Sequence, residues 1–167
     1  YFQEKFNRRP TIAINFDSFG HSVGLVQILA KCGYEGYIIC RPMAEISDFP
    51  SDIFTWIDKD DSSVKVFRAN SNNLYCTSFG NALEEIKQDI RAFGEDEIGA
   101  ALWGVGNHGG NPSRKDFKDI AEYINEASFP IIHSTPEDFM KEAQAKGEWR
   151  ESFQPCLVGA YTSMNSI

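Results

Sequence analysis

The hydrophobic pattern changes period several times along the chain, and each change marks an element. Thr11 to Phe16 is a short, β-branched and apolar stretch behind Pro10, which predicts a strand. After Asp17-Ser18-Phe19-Gly20-His21 the spacing lengthens. Leu25, Ile28, Leu29 and Cys32 then fall on one helical stripe, and Gly33 supplies the C-terminal stop. Tyr37 to Cys40 predicts a second strand, ended by Arg41-Pro42. Strand, helix and strand within about 30 residues make a βαβ unit, whose two strands must run parallel.

Phe54 to Ile57 and Val64 to Arg68 read as two strands around the turn-rich Asp58-Lys59-Asp60-Asp61-Ser62-Ser63, a hairpin or a long excursion from the α/β alternation. Asn70 to Asn73 is a polar loop. Alternation then resumes, with Leu83, Ile86, Ile90 and Phe93 on one helical face and Ile98 to Val105 as a strand. That strand leads into Gly106-Asn107-His108-Gly109-Gly110-Asn111-Pro112. Ser113 and Asp116 form a capping box for a helix that turns Phe117, Ile120, Ala121 and Ile124 inward. Pro130 to His133 predicts a further strand, and Thr135-Pro136-Glu137-Asp138 supplies cap, first-turn proline and capping acid for a last helix. From Gly147 onward the chain is aromatic and loop-like. The expected class is α/β, a mostly parallel sheet flanked by helices with a short hairpin excursion, in one segment spanning residues 1–167.

Composition narrows the possible functions. At 167 residues and 42% hydrophobic content the chain can bury a full core. A run of ~18 apolar residues does not occur, which argues against a membrane span. With 16 Lys+Arg against 24 Asp+Glu, the net charge of −8 repels nucleic acid. The four cysteines, Cys32, Cys40, Cys76 and Cys156, contain no C-x-x-C pair and read as buried thiols of a reducing compartment. Charges from residue 4 onward leave no room for a signal-peptide apolar core, so a cytoplasmic location is expected. The chain stops at Asn165-Ser166-Ile167 without a closing helix, as though cut from something longer.

In parallel sheets ligands bind beyond the carboxyl ends of the strands. The predicted strands end at Asp17, at Arg41, at Asn107-His108 and at His133, so one rim would collect a carboxylate, a guanidinium, imidazoles and a glycine-rich loop. Each residue also has a plainer reading. Asp17 can cap the following helix, Arg41 can be a surface arginine paired with a neighbouring carboxylate, and His21 and His133 can be hydrogen-bonded structural residues. The loop at Gly106 to Gly110 lets backbone come close to a ligand, but its spacing matches neither a P-loop nor a dinucleotide fingerprint.

These residues carry a resemblance across essentially the whole chain. Asn15-Phe16-Asp17-Ser18-Phe19-Gly20-His21-Ser22, then Leu25, Gln27-Ile28-Leu29, Gly33 and Arg41-Pro42, resembles the nucleophile segment of family 38 glycoside hydrolases, the retaining α-mannosidases. Phe54-x-Trp56, Gly104 to Pro112, Ser134-Thr135-Pro136-Glu137 and Gly159-x-Tyr161-Thr162-Ser163-Met164 continue the pattern in the family's order. The resemblance implies a partial seven-stranded β/α barrel-like domain within a larger catalytic chain that trims mannose from oligosaccharides or glycoconjugates. It implies that Asp17 is both nucleophile and Zn²⁺ ligand, that Phe19 lies against the sugar, and that Arg41 keeps Asp17 charged.

The acid/base group is expected in the glycine-rich loop. Related sequences commonly carry an aspartate there, whereas this chain has Asn107-His108. His108 is therefore the candidate, with a water or a residue beyond this segment as the alternatives, and Asn107 is a candidate substrate contact. The family's remaining zinc ligands, a His-x-Asp and a later histidine, would lie outside residues 1–167, so the isolated segment is expected to be inactive. Two competing readings remain. One is a metal-dependent polysaccharide deacetylase, and the other is a non-catalytic module that stacks sugars on Phe19, Trp56 and Trp103.

Overall fold

A computed structural model describes residues 1–18, 20–42, 51–69, 76–92, 98–106, 109–147, 152–153 and 157–158. The chain forms two compact units, residues 1–68 with 136–167 and residues 69–135.

The first unit is built on a five-stranded sheet. After a short helix α1 (Phe2–Phe6), β1 (Ile12–Asn15) is followed by the two-residue β2 (Gly20–His21), α2 (Leu25–Lys31) and β3 (Gly36–Ile39). β1 and β3 lie side by side in parallel, as the βαβ reading requires. β4 (Ile53–Ile57) and β5 (Ser63–Arg68) form the expected hairpin, closed by Asp58 and Ser62. β5 pairs in parallel with β3, so the hairpin is part of the main sheet. α5 (Pro136–Ala145) belongs to this unit, as do β6 (Ser152–Phe153) and β7 (Leu157–Val158). β6 adds a parallel edge to β4, and β7 pairs antiparallel with β2.

The period-2 pattern decides what each face of the sheet buries. Tyr37, Ile39, Phe54, Trp56, Val64 and Val66 point to one face and pack with Val26 and Leu29 of α2. On the other face Gly36 and Phe67 meet α5, where a Cβ at Gly36 would sit 2.5 Å from the Met140 terminal methyl and the Phe67 and Phe139 rings lie 4.7 Å apart. The sheet is thus sandwiched between α2 and α5, and each buried aromatic contributes about 2–3 kcal/mol through burial. The inward stripe of α2 is Leu25, Val26 and Leu29. Ile28 and Cys32, expected inside, are exposed. Cys40 is buried and Cys76 half-buried, while Cys156 lies outside the described residues.

The second unit packs α3 (Ala82–Ala92) against α4 (Arg114–Glu126) through Ala82, Ile86 and Ile120, flanked by Leu83, Ile90 and Ile124. Phe93 lies outside the described residues. Ser113 caps α4 as expected, its Oγ accepting the Asp116 N–H at 3.0 Å. The expected strand Ile98–Val105 is not formed. Among the described residues its one ladder contact is a parallel bridge between Thr77 and Val105, and Ala101 and Trp103 pack onto the helices. Pro130–His133 is irregular as well, with Ile132 and His133 exposed. Phe117, expected inward, is half exposed and meets the Trp103 ring edge-on at 5.0 Å; Ala121 is also exposed. Among the described residues no helix is long and apolar enough to cross a membrane.

Candidate active site

The register of two parallel strands brings the first two candidates together. Asn15 pairs with Ile39, and the ladder continues one step past both strands, where the Arg41 N–H donates to the Phe16 carbonyl at 3.2 Å. At the same offset Asp17 must stand beside Arg41. Arg41 Nε donates to Asp17 Oδ1 at 2.5 Å. Asp17 is not a helix cap, because α2 begins only at Leu25 after Gly24. Its side chain is 49% exposed and that of Arg41 is 26% exposed, so the pair lies at the open carboxyl rim of the sheet. A second ion pair, Arg68 with Asp52, stands on the same rim where β5 ends and β4 begins.

Behind the Asp17 pair lies a polar network that the sequence reading did not find. His21, 3% exposed, places Nε2 at 3.0 Å from the Arg41 carbonyl oxygen and Nδ1 at 2.7 Å from the Tyr37 hydroxyl. Ser18 Oγ lies 3.0 Å from Nε2, and the Asn15 side chain hydrogen-bonds Tyr37. Burial pushes the His21 imidazole below its ordinary value, partly opposed by the bond to the Arg41 carbonyl. Burial pushes the Tyr37 phenol up to about 12, against the lowering effect of Asn15. Both groups are therefore neutral at pH 7. The available signal was Tyr37 itself, a polar-tipped ring in an otherwise apolar strand, which needs a partner when buried. The packing role read for His21 is correct but incomplete, since its ring joins two loops.

Trp56 forms the floor of this network. It is fully buried, with its ring stacked on Tyr37 at 6.4 Å between centroids and edge-on to His21. A buried ring cannot stack a sugar, so the non-catalytic binding reading loses one of its three aromatics. Trp103, in the second unit, is engaged with Phe117 and faces the His133 ring at 6.4 Å. His133 therefore has an aromatic neighbour but no strand end to stand on. Phe19, Asn107 and His108 lie outside the described residues. Two flanking glycines leave no room for a side chain. A Cβ at Gly106 would fall 2.1 Å from Cys76 Cβ, and one at Gly110, with φ +153, would fall 2.4 Å from the Val105 carbonyl oxygen.

Asp17 has the chemistry of a metal ligand, but among the described residues no three His, Cys, Asp or Glu side chains gather as a metal site. Zn²⁺ takes about four ligands, so these residues alone do not fit it.

The likeness to known proteins concerns the fold and the family. The chain is 26% identical to alpha-mannosidase G of Dictyostelium discoideum, over 86% of its own length and 13% of that protein. It superposes on an alpha-mannosidase from Enterococcus faecalis V583 with a TM-score of 0.67 at 17% identity, covering 93% of this chain and 19% of that one, a likeness of fold. It thus spans less than a fifth of either relative. The model of the glycosyl hydrolases family 38 N-terminal domain matches residues 1–156, and the chain belongs to that family.

Proposed function

We propose that residues 1–167 are part of the catalytic α/β domain of a larger retaining α-mannosidase, which cleaves terminal α-mannosidic bonds of oligosaccharides or glycoconjugates. One observation carries this reading: a half-exposed Asp17 carboxylate is held by Arg41 at the carboxyl ends of two adjacent parallel strands. Arg41 orients the carboxylate and balances its charge in the free site. An Asp17 oxygen attacks the anomeric carbon as the bond to the leaving oxygen breaks, giving a glycosyl ester on Asp17. The leaving oxygen takes a proton from the acid/base group. The same group then removes a proton from a water that attacks the anomeric carbon as its bond to Asp17 breaks, and this second inversion restores the original configuration. His108 fills that role, and Phe19 and Asn107 contact the sugar.

Zn²⁺ enters this reading as an ion that Asp17 shares with ligands outside the chain, where it would bind sugar hydroxyls. The isolated 167-residue chain is then inactive. In the full-length enzyme, Asp17→Asn should lower kcat/KM for an aryl α-mannoside by about 10³-fold or more. Hydrolysis at the wild-type rate by that variant would overturn the proposal.

A further inference from the structure

Three polar groups of Arg41 engage residues 16–21. Its N–H donates to the Phe16 carbonyl, its guanidinium Nε donates to Asp17 Oδ1, and its own carbonyl lies 3.0 Å from His21 Nε2. A carbonyl oxygen only accepts, so the His21 proton resides on Nε2, where Ser18 Oγ shares it. Nδ1 must then accept, and the Tyr37 hydroxyl 2.7 Å away must donate. The Tyr37 oxygen receives the Asn15 amide in turn. One arrangement of protons satisfies the whole chain of bonds. Moving the imidazole proton to Nδ1 would set two lone pairs against each other at Arg41. The rings have little room to reorient, since His21 and Tyr37 are 3% and 2% exposed and both pack on Trp56.

We propose that His21 and Tyr37 are positioning residues for Asp17. The Arg41 carbonyl sets the His21 tautomer, the Tyr37 hydroxyl anchors the imidazole through Nδ1, and Arg41, tied to His21 Nε2–H, is thereby aimed at the Asp17 carboxylate. This inference rests on Asp17 being the nucleophile. Its physical basis is that a reacting carboxylate displaced by a fraction of an ångström loses rate while binding of the sugar is kept.

The test uses the full-length enzyme and an aryl α-mannoside. Tyr37→Phe keeps the ring and its stacking but removes the donor, so kcat should fall about tenfold with KM changed less than about twofold. His21→Gln, which keeps a donor and an acceptor, should retain more of kcat than His21→Ala. Equal losses in kcat and in 1/KM, or a wild-type kcat in Tyr37→Phe, overturn the relay. Asp17→Asn measured alongside separates the two claims: an inactive Asp17→Asn beside a fully active Tyr37→Phe sinks the relay alone, and an active Asp17→Asn sinks the function it serves. ¹⁵N NMR of the wild-type histidines supplies a readout independent of any variant's folding. A neutral His21 protonated at Nε2 is expected, and an Nδ1–H tautomer contradicts the inference.

Discussion

Asp116 offers the sharpest test of how the second unit is held together. It sits in the first turn of α4 with 1% of its surface exposed, yet its carboxylate serves two helices. Oδ2 accepts the Gly80 N–H and Oδ1 the Ala82 N–H, each at 3.2 Å, and the Ser113 hydroxyl donates at 2.5 Å. Ala82 opens α3, so its N–H is one of the donors a helix start cannot satisfy internally. Burial disfavours the charged carboxylate. The Ser113, Gly80 and Ala82 donors, with Lys115, outweigh it and hold Asp116 below the usual carboxylate range.

Asp116→Ala strands two amide donors and a hydroxyl. At about 1 kcal/mol for each group, the loss is about 3 kcal/mol. Asp116→Asn keeps the shape and one accepting oxygen and should lose about half as much. In urea unfolding with an m-value of about 2 kcal/mol/M, Asp116→Ala should lower the midpoint by about 1.5 M. A shift below about 0.3 M, or an Asn variant as damaged as the Ala variant, would refute this account of the double cap.

Other outcomes follow from the same contacts. Gly106→Ala should destabilise by about 1–3 kcal/mol in a thermal melt, because its Cβ meets Cys76 Cβ at 2.1 Å, and Cys76→Gly should relieve the loss in the double variant; additive effects would contradict the clash. His21 has a folded pKa below its ordinary 6.5, so the unfolded chain binds the proton first on acidification. The stability that neutral His21 contributes is therefore complete above pH 6.5 and is lost as pH falls towards the folded pKa. Urea midpoints taken from pH 7.5 to 5 should show this slope flattened in His21→Gln, and an unchanged slope would place the titration elsewhere.

What the sequence revealed, it revealed where local pattern and tertiary environment agree. Alternation through Phe54, Trp56, Val64 and Val66 announced strands because one face of the sheet buries those side chains against α2. A shared rim for Asp17 and Arg41 was legible because the parallel strands of a βαβ unit end on the same side, whereas their pairing was implied only by the family resemblance and follows in the structure from one more ladder bond of the register. The run Ile98 to Val105 misled because apolar content alone does not distinguish a strand from an irregular segment packed on helices, as Ala101 and Trp103 are. Pro130 removes a ladder donor, and exposed Ile132 gains nothing from a strand there. β6 and β7 are two residues each, too short to carry a period. The His21–Tyr37 contact spans 16 positions and depends on ring orientation, which no local pattern encodes.

The most direct measurement is to trap the intermediate. Incubating the full-length enzyme with an activated fluoro-mannoside, then mapping the modified peptide by mass spectrometry, should place one glycosyl group on Asp17. A sugar found on any other carboxylate would contradict the account, as would an enzyme that turns over the reagent without ever carrying it on Asp17.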